Sequence, residues 1–127
     1  MNSVLISFLA TALIFGAAVA VGFRLARSPK PYPVGWLGIH IVLFFLVAMG
    51  IGACMNAIES VTGSATMSIG TMALSFAGPP LIALFISGVV MLFGKKKRRA
   101  WIVVHKVAMY LLALSIGASG VFAVMRW

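Results

Sequence analysis

Long apolar runs separated by short polar or basic segments dominate the chain. The runs cover approximately residues 3–23, 36–57, 67–93 and 101–124. A helix needs roughly 20 apolar residues to cross the hydrocarbon core of a bilayer, and each run is long enough. Each run is also apolar around the whole helix, whereas a helix on the surface of a soluble protein has a polar face. The pattern therefore predicts an all-α integral membrane protein, a bundle of four transmembrane helices.

Prolines and small polar residues mark the boundaries between these runs. Three prolines between residues 29 and 33 prevent a helix in the connector at 24–33. A polar stretch at 59–68 forms the next predicted turn. The third run is interrupted at residues 78–80, Gly-Pro-Pro, which must kink the helix or split it. We interpret this interruption as structural, with room for a cofactor or quinone as the alternative.

The overall composition excludes two broad classes of protein. Hydrophobic residues make up 63% of the 127 positions and charged residues 9%, with a single Asp or Glu. A soluble domain carries about 25% charged residues, so this chain has too few polar side chains to cover the surface of a soluble monomer. It is also far too apolar to remain disordered in water.

The basic residues indicate the orientation of the chain in the membrane. Nine of the ten Lys and Arg residues lie within 24–30 and 95–106, next to apolar runs, and the tenth is Arg126. Under the positive-inside rule both basic connectors face the cytoplasm, and both termini then lie outside. We expect a bacterial inner membrane, contacts with anionic lipid or an acidic partner protein, and no nucleic-acid partner despite the net charge of +9.

The second and fourth runs are related by an internal repeat. Shifting the chain by 65 positions places His40 on His105, and 8 of the 18 residues in 36–53 are then identical to those in 101–118. Aligned Trp and His are not expected from apolar composition alone. We interpret the chain as one transmembrane domain, residues 1–127, built from two tandem helical hairpins at about 3–58 and 67–124.

The repeat gives the two histidines equivalent positions. Trp36 precedes His40 by four residues, and Trp101 precedes His105 by four. Four residues are about 6 Å along a helix, so both imidazoles lie at the same depth, near the cytoplasmic face. A haem iron has two equivalent axial sites and binds neutral imidazole well. The histidines therefore predict one bis-His haem b, with both residues as metal ligands.

Residues close to the histidines in the sequence suit this cofactor. Apolar neighbours on the same helix faces can pack on a porphyrin, and the basic residues can meet its anionic propionates. The predicted cofactor-binding residues are His40, His105, Trp36, Trp101, Phe44, Met109, Lys106 and Arg99. Covalent c-type haem is excluded because the sequence has no C-x-x-C-H motif, and the single Cys54 is interpreted as a packing residue.

The duplicated W-x-x-x-H at 36–40 and 101–105 resembles the small four-helix membrane cytochromes b, in which helix histidines hold haem. The resemblance covers the whole chain in layout, and its specific element is this motif. It implies single-electron transfer by a cytochrome or a cytochrome-b-like subunit of a redox complex rather than a stand-alone enzyme. The layout also resembles the haem-bearing membrane anchors of quinone-linked dehydrogenases, which implies quinone as a second candidate cofactor. This chain has two histidines, whereas the di-haem ascorbate and ferric reductase cytochromes use four.

Several alternatives remain open from the sequence. The histidines could be interfacial polar residues, or each could bind one chlorophyll-type pigment. The chain could also be a cofactor-free assembly or scaffold subunit. The expected protein partners are other subunits of a redox complex or a second copy of the chain in a homodimer. A small transporter fits less well. The small multidrug exporters depend on a carboxylate in the first span, and residues 3–23 of this chain contain none. Glu59, the only carboxylate, is expected in an outer loop, with a proton acceptor at an outer quinone site as the alternative.

Overall fold

The computed structural model describes residues 3–62, 69–94 and 99–125, and the secondary structure within these ranges is entirely helical. The helices are α1 (Ser3–Arg27), α2 (Val34–Thr62), α3 (Ile69–Ser75), α4 (Gly78–Phe93) and α5 (Arg99–Met125). Four stretches are long and apolar enough to cross a membrane, namely Ser3–Arg27, Val34–Val61, Met72–Phe93 and Arg99–Val121. The predicted all-α class is confirmed, and so are four helical stretches long and apolar enough to span a membrane.

Helix α1 continues one turn beyond the predicted boundary and includes Arg24. The prolines that stop it begin at residue 29, so the four residues before Ser28 can still form helical hydrogen bonds. The Ser28 hydroxyl donates to the Arg24 carbonyl at 3.0 Å, and the Ser28 N–H donates to the Leu25 carbonyl at 3.0 Å. The connector is therefore shorter than predicted.

The sequence prediction for the end of the second span was wrong. Helix α2 runs on to Thr62, so Glu59 and Ser60 lie on a helix and not in a turn. No proline or glycine occurs between Cys54 and Thr62, and the Ser60 hydroxyl donates to the Ala57 carbonyl within the helix at 2.8 Å. The rest of the predicted turn, residues 63–68, lies outside the described residues.

The third span is split, one of the two outcomes predicted for its Gly-Pro-Pro interruption. Helix α3 closes with the Ala77 N–H donating to the Leu74 carbonyl at 2.9 Å, and α4 opens with the Leu81 N–H donating to the Ala77 carbonyl at 3.1 Å. Pro79 and Pro80 occupy the first turn of α4, where the missing N–H groups would have no partner in the helix. The prolines thus end one helix and begin the next.

The chain divides into two compact units, Met1–Val61 and Thr62–Trp127. In the first unit α1 and α2 approach closely at Gly50, where an added Cβ would lie 2.6 Å from the Thr11 side-chain oxygen. The same oxygen lies 3.5 Å from the buried Cys54 sulfur, which is not in a disulfide. Only glycine fits at this contact.

In the second unit α5 contacts both α3 and α4. Helices α2 and α5 bury matching positions of the 65-residue repeat. The corresponding buried pairs are Val47 and Leu112, Ile51 and Ile116, and Cys54 and Ser119. Each of these helices therefore uses the same face to pack within its own unit.

Candidate functional site

In the first unit, the histidine on α2 is held against the backbone of α1. The Nδ1 atom of His40 lies 3.1 Å from the Ala18 carbonyl oxygen. The ring also lies over Gly22, where an added Cβ would come within 3.0 Å of the His40 Cε1 atom. Because Gly22 has no side chain, the imidazole can reach the backbone of the neighbouring helix.

In the second unit, the histidine on α5 is held against α4 through a hydroxyl group. The Nδ1 atom of His105 lies 2.9 Å from the Ser87 Oγ atom. Ser87 Oγ in turn lies 2.6 Å from the Ala83 carbonyl oxygen and 3.1 Å from that of Leu84. Ser87 is completely buried, so this contact belongs to the interior of the helix pair.

These two arrangements occupy corresponding positions of the repeat. Ala18 precedes His40 by 22 residues, and Ala83 precedes His105 by the same number. Gly22 corresponds to Ser87 in the same way. Each histidine therefore faces the same backbone carbonyl of its partner helix, reached directly in the first unit and through a serine hydroxyl in the second.

The hydrogen bonds assign the same tautomer to both rings. A carbonyl oxygen can only accept a hydrogen bond, so the His40 Nδ1 atom must carry a hydrogen and donate it to Ala18. The Ala83 carbonyl, which can only accept, is the nearest partner of Ser87 Oγ, so we infer that the hydroxyl donates to it and accepts from His105 Nδ1–H. When the rings are neutral, the lone pair of each is then on Nε2.

This tautomer is the one that suits a metal ligand. Histidines that bind metal through one nitrogen commonly donate the other N–H to a backbone carbonyl or another acceptor, which fixes the ring and strengthens the ligand. Within residues 3–62, 69–94 and 99–125, no three His, Cys, Asp or Glu side chains form a metal-binding group.

The other apolar residues predicted for the site form a matching stripe on each helix. Trp36 and Phe44 lie one turn on either side of His40, and all three are partly buried. The equivalent residues around His105 are Trp101 and Met109, which are also partly buried. Each stripe thus combines apolar surface with an imidazole.

Some of the predicted residues have specific neighbours. The Arg24 guanidinium lies 4.2 Å from the Trp36 ring centroid, and the Phe44 ring packs edge-on against Phe45 with centroids 5.6 Å apart. Lys106 and Arg99 are exposed on the first turns of α5. The contacts of the described residues thus bring Arg24, which the sequence prediction omitted, to the predicted site.

Sequence reasoning missed Ala18, Gly22, Ala83 and Ser87. Helices α1 and α4 match poorly as a whole at the 65-residue shift, so the first helices of the repeat offered no obvious alignment. The signal that could have found these residues is a pair of short motifs, A-x-x-x-G at 18–22 and A-x-x-x-S at 83–87, each 22 residues before its histidine when counted from the alanine.

Comparison with known proteins adds no relative. The sequence matches no protein-family model, and no curated protein or solved structure is similar enough to it to count as a match.

Proposed function

We propose that the protein is a membrane b-type cytochrome, or a cytochrome-b-like subunit of a redox complex, in which His40 and His105 ligate haem iron through Nε2. The observation that carries this proposal is that both Nδ1 atoms are hydrogen-bonded toward the same carbonyl position of the repeat, His40 directly to Ala18 and His105 through Ser87 to Ala83. Hydrogen bonds that only join helices can form with either tautomer of the ring. Two histidines that bind iron through Nε2 must both carry the hydrogen on Nδ1.

The surroundings of each imidazole support a flat apolar ligand. The ring is followed and preceded, one turn away, by a large apolar side chain, and these side chains are partly exposed rather than packed away. Partial exposure matters because a porphyrin can only pack on surface that the protein does not already bury. Trp36, Phe44, Trp101 and Met109 supply this surface in the proposal.

We propose one haem per chain with both histidines as its axial ligands. The two axial sites of haem are equivalent, and the two histidines have equivalent sequence contexts and hydrogen bonds. Haem with two histidine ligands exchanges single electrons and leaves no site for a substrate, which favours electron transfer over oxygen chemistry. Arg99 and Lys106 would pair with the propionates, and Arg24 lies on the corresponding stripe of the first unit.

The proposed setting is a bacterial inner membrane, with both termini outside and the basic connectors in the cytoplasm. The electron donor is then a cytoplasmic carrier or a membrane quinol, and the acceptor a partner subunit or a second copy of the chain. The main competing function is a cofactor-free scaffold subunit, in which the same hydrogen bonds only join helices. A subunit with one chlorophyll-type pigment on each histidine is the other alternative.

A reduced-minus-oxidised visible spectrum of the purified protein separates these functions. We expect a Soret band and sharp α-band of low-spin haem at one haem per chain. His40→Ala and His105→Ala should each abolish this spectrum or convert it to a five-coordinate form. The control is Thr11→Val, which removes a polar contact between α1 and α2 without touching either histidine stripe.

Three results would contradict the proposal. Protein that stays colourless after expression with excess haem supports the scaffold function. A chlorophyll-type spectrum, with each histidine variant losing half of the pigment, supports the pigment subunit. Wild-type haem spectra in both histidine variants would show that other residues bind the haem.

A further inference from the structure

Ser87 carries a hydroxyl group whose hydrogen bonds extend to a histidine. Its side chain is completely buried, and its Oγ atom lies 2.6 Å from the Ala83 carbonyl oxygen, a common bond for serine within a membrane helix. The lone pairs of the oxygen are then directed to other donors, and the Nδ1–H group of His105 lies at 2.9 Å. Ser87 therefore connects the imidazole to the backbone of α4.

The corresponding residue of the first unit achieves the same result without a side chain. At Gly22 an added Cβ would lie 3.0 Å from Cε1 and 3.7 Å from Nδ1 of His40, closer than real Cβ atoms usually approach a ring. The open space lets His40 reach the Ala18 carbonyl directly at 3.1 Å. A methyl group in this space would fill it and offer no acceptor.

We infer that Gly22 and Ser87 are positioning residues that set the tautomer and orientation of the two histidines. Gly22 leaves the Ala18 carbonyl accessible to His40, and the Ser87 hydroxyl connects His105 to the Ala83 carbonyl. The effect on haem binding rests on the proposed function. The effect on the histidine tautomers does not depend on it.

The tolerance of positions 22 and 87 should not follow the order of side-chain size. Glycine and serine should both work at either position, because one exposes the carbonyl and the other replaces it as the acceptor. Alanine, although intermediate in size, should fail at both positions. Helix propensity alone gives the reverse order, because alanine is the best helix former and glycine one of the worst.

The test uses protein labelled with ¹⁵N-histidine, prepared without haem and purified in lipid nanodiscs, because iron bound to Nε2 would itself fix the Nδ1–H tautomer. The chain has only two histidines, so two rings are observed, and His40→Gln and His105→Gln assign them. The wild-type protein should show the Nδ1–H tautomer for both rings. Ser87→Ala should produce a mixture of tautomers at His105 alone, whereas Ser87→Gly should restore the single tautomer.

Matched variants test the first unit in the opposite direction. Gly22→Ala should disturb His40 alone, and Gly22→Ser should retain its single tautomer. In haem-loaded protein the two alanine variants should lose about 10- to 100-fold in haem affinity, the usual effect of removing a partner of a metal-binding histidine. Ser87→Gly and Gly22→Ser should keep a haem affinity near that of the wild type.

Two results would overturn the inference: an unchanged His105 tautomer in Ser87→Ala, or equal loss of the single tautomer in Ser87→Ala and Ser87→Gly. Both variants at position 87 only remove atoms, so overpacking cannot explain either result. If the protein binds no haem at all, the proposed function fails, but the same NMR signals still test the roles of residues 22 and 87.

Discussion

His40 on α2 and Ala18 on α1 are joined by a hydrogen bond of 3.1 Å from the imidazole Nδ1 atom to the backbone carbonyl oxygen. The two bonded residues lie 22 positions apart in the sequence, on different helices. A backbone carbonyl is already engaged in the helix ladder, and its second lone pair can accept the imidazole N–H. The acceptor is therefore present whatever side chain residue 18 carries, and access to it is decided by residue 22.

Gly50 should be essential for the packing of α1 on α2. In Gly50→Ala the new Cβ would meet Thr11 at 2.6 Å, and overpacking of this kind destabilises a protein by about 1–3 kcal/mol. Unfolding in detergent, followed by circular dichroism, measures the loss. The double variant Gly50→Ala, Thr11→Ala should regain most of the stability, since it removes the two closest atoms.

Gly52→Ala is the matched control, because nothing lies within 4 Å of a Cβ added at this position in the same helix. Its stability should equal or slightly exceed that of the wild type. Equal destabilisation by the two glycine variants would mean that glycine in α2 acts through helix propensity and not through the contact with Thr11.

The Arg24 guanidinium should stabilise the fold through its contact with the Trp36 ring. The distance of 4.2 Å is typical of a cation–π pair, and because Arg24 is exposed and Trp36 only partly buried, we expect a contribution of about 0.5–1 kcal/mol. A double-mutant cycle with Arg24→Gln and Trp36→Leu should give a coupling free energy of this size. Arg27→Gln in place of Arg24→Gln should give none, and a coupling near zero for both arginines would contradict the prediction.

The membrane orientation can be measured by cysteine labelling. Lys97→Cys in the second basic connector should react with an impermeant maleimide only from the cytoplasmic side, and Ser60→Cys only from the outside. Cys54 does not interfere, since its side chain is 1% exposed. Reaction of both cysteines from the opposite sides would reverse the topology and move the proposed haem to the outer face.

The proposed haem should exchange electrons more easily with the cytoplasmic side than with the outer side. Each histidine lies four residues, about one helical turn or ~6 Å, after a tryptophan that we predict to lie at the membrane interface, whereas the hydrocarbon core is about 30 Å thick. In oriented vesicles an impermeant reductant should therefore act quickly from the cytoplasmic side and slowly from outside. Salt should weaken the reaction with an acidic protein donor, because Arg99 and Lys106 are exposed.

Equally fast reduction from outside would point to a second cofactor, a partner subunit or a reversed topology. The labelling experiment with Lys97→Cys and Ser60→Cys separates the last of these explanations from the first two.

Some helix boundaries followed from the sequence and others did not. The prolines after residue 28 and the Gly-Pro-Pro at 78–80 stop helices in the structure, because the proline ring and the missing N–H act locally. The predicted turn at Glu59 was wrong, since a polar residue at the end of an apolar run does not by itself stop a helix. With no proline or glycine before it, α2 continued to Thr62.

The sequence alone determined the class of the protein, its four apolar spans and the repeated Trp–His pairs, because hydrophobicity, proline and residue spacing act within one helix. Only the tertiary structure showed that His40 reaches the Ala18 carbonyl over Gly22, and that His105 reaches Ser87. These contacts join residues of different helices. Which carbonyl a ring can reach depends on how the helices pack. The side chain at position 22 or 87 decides whether the histidine bonds to that carbonyl directly or through a hydroxyl group.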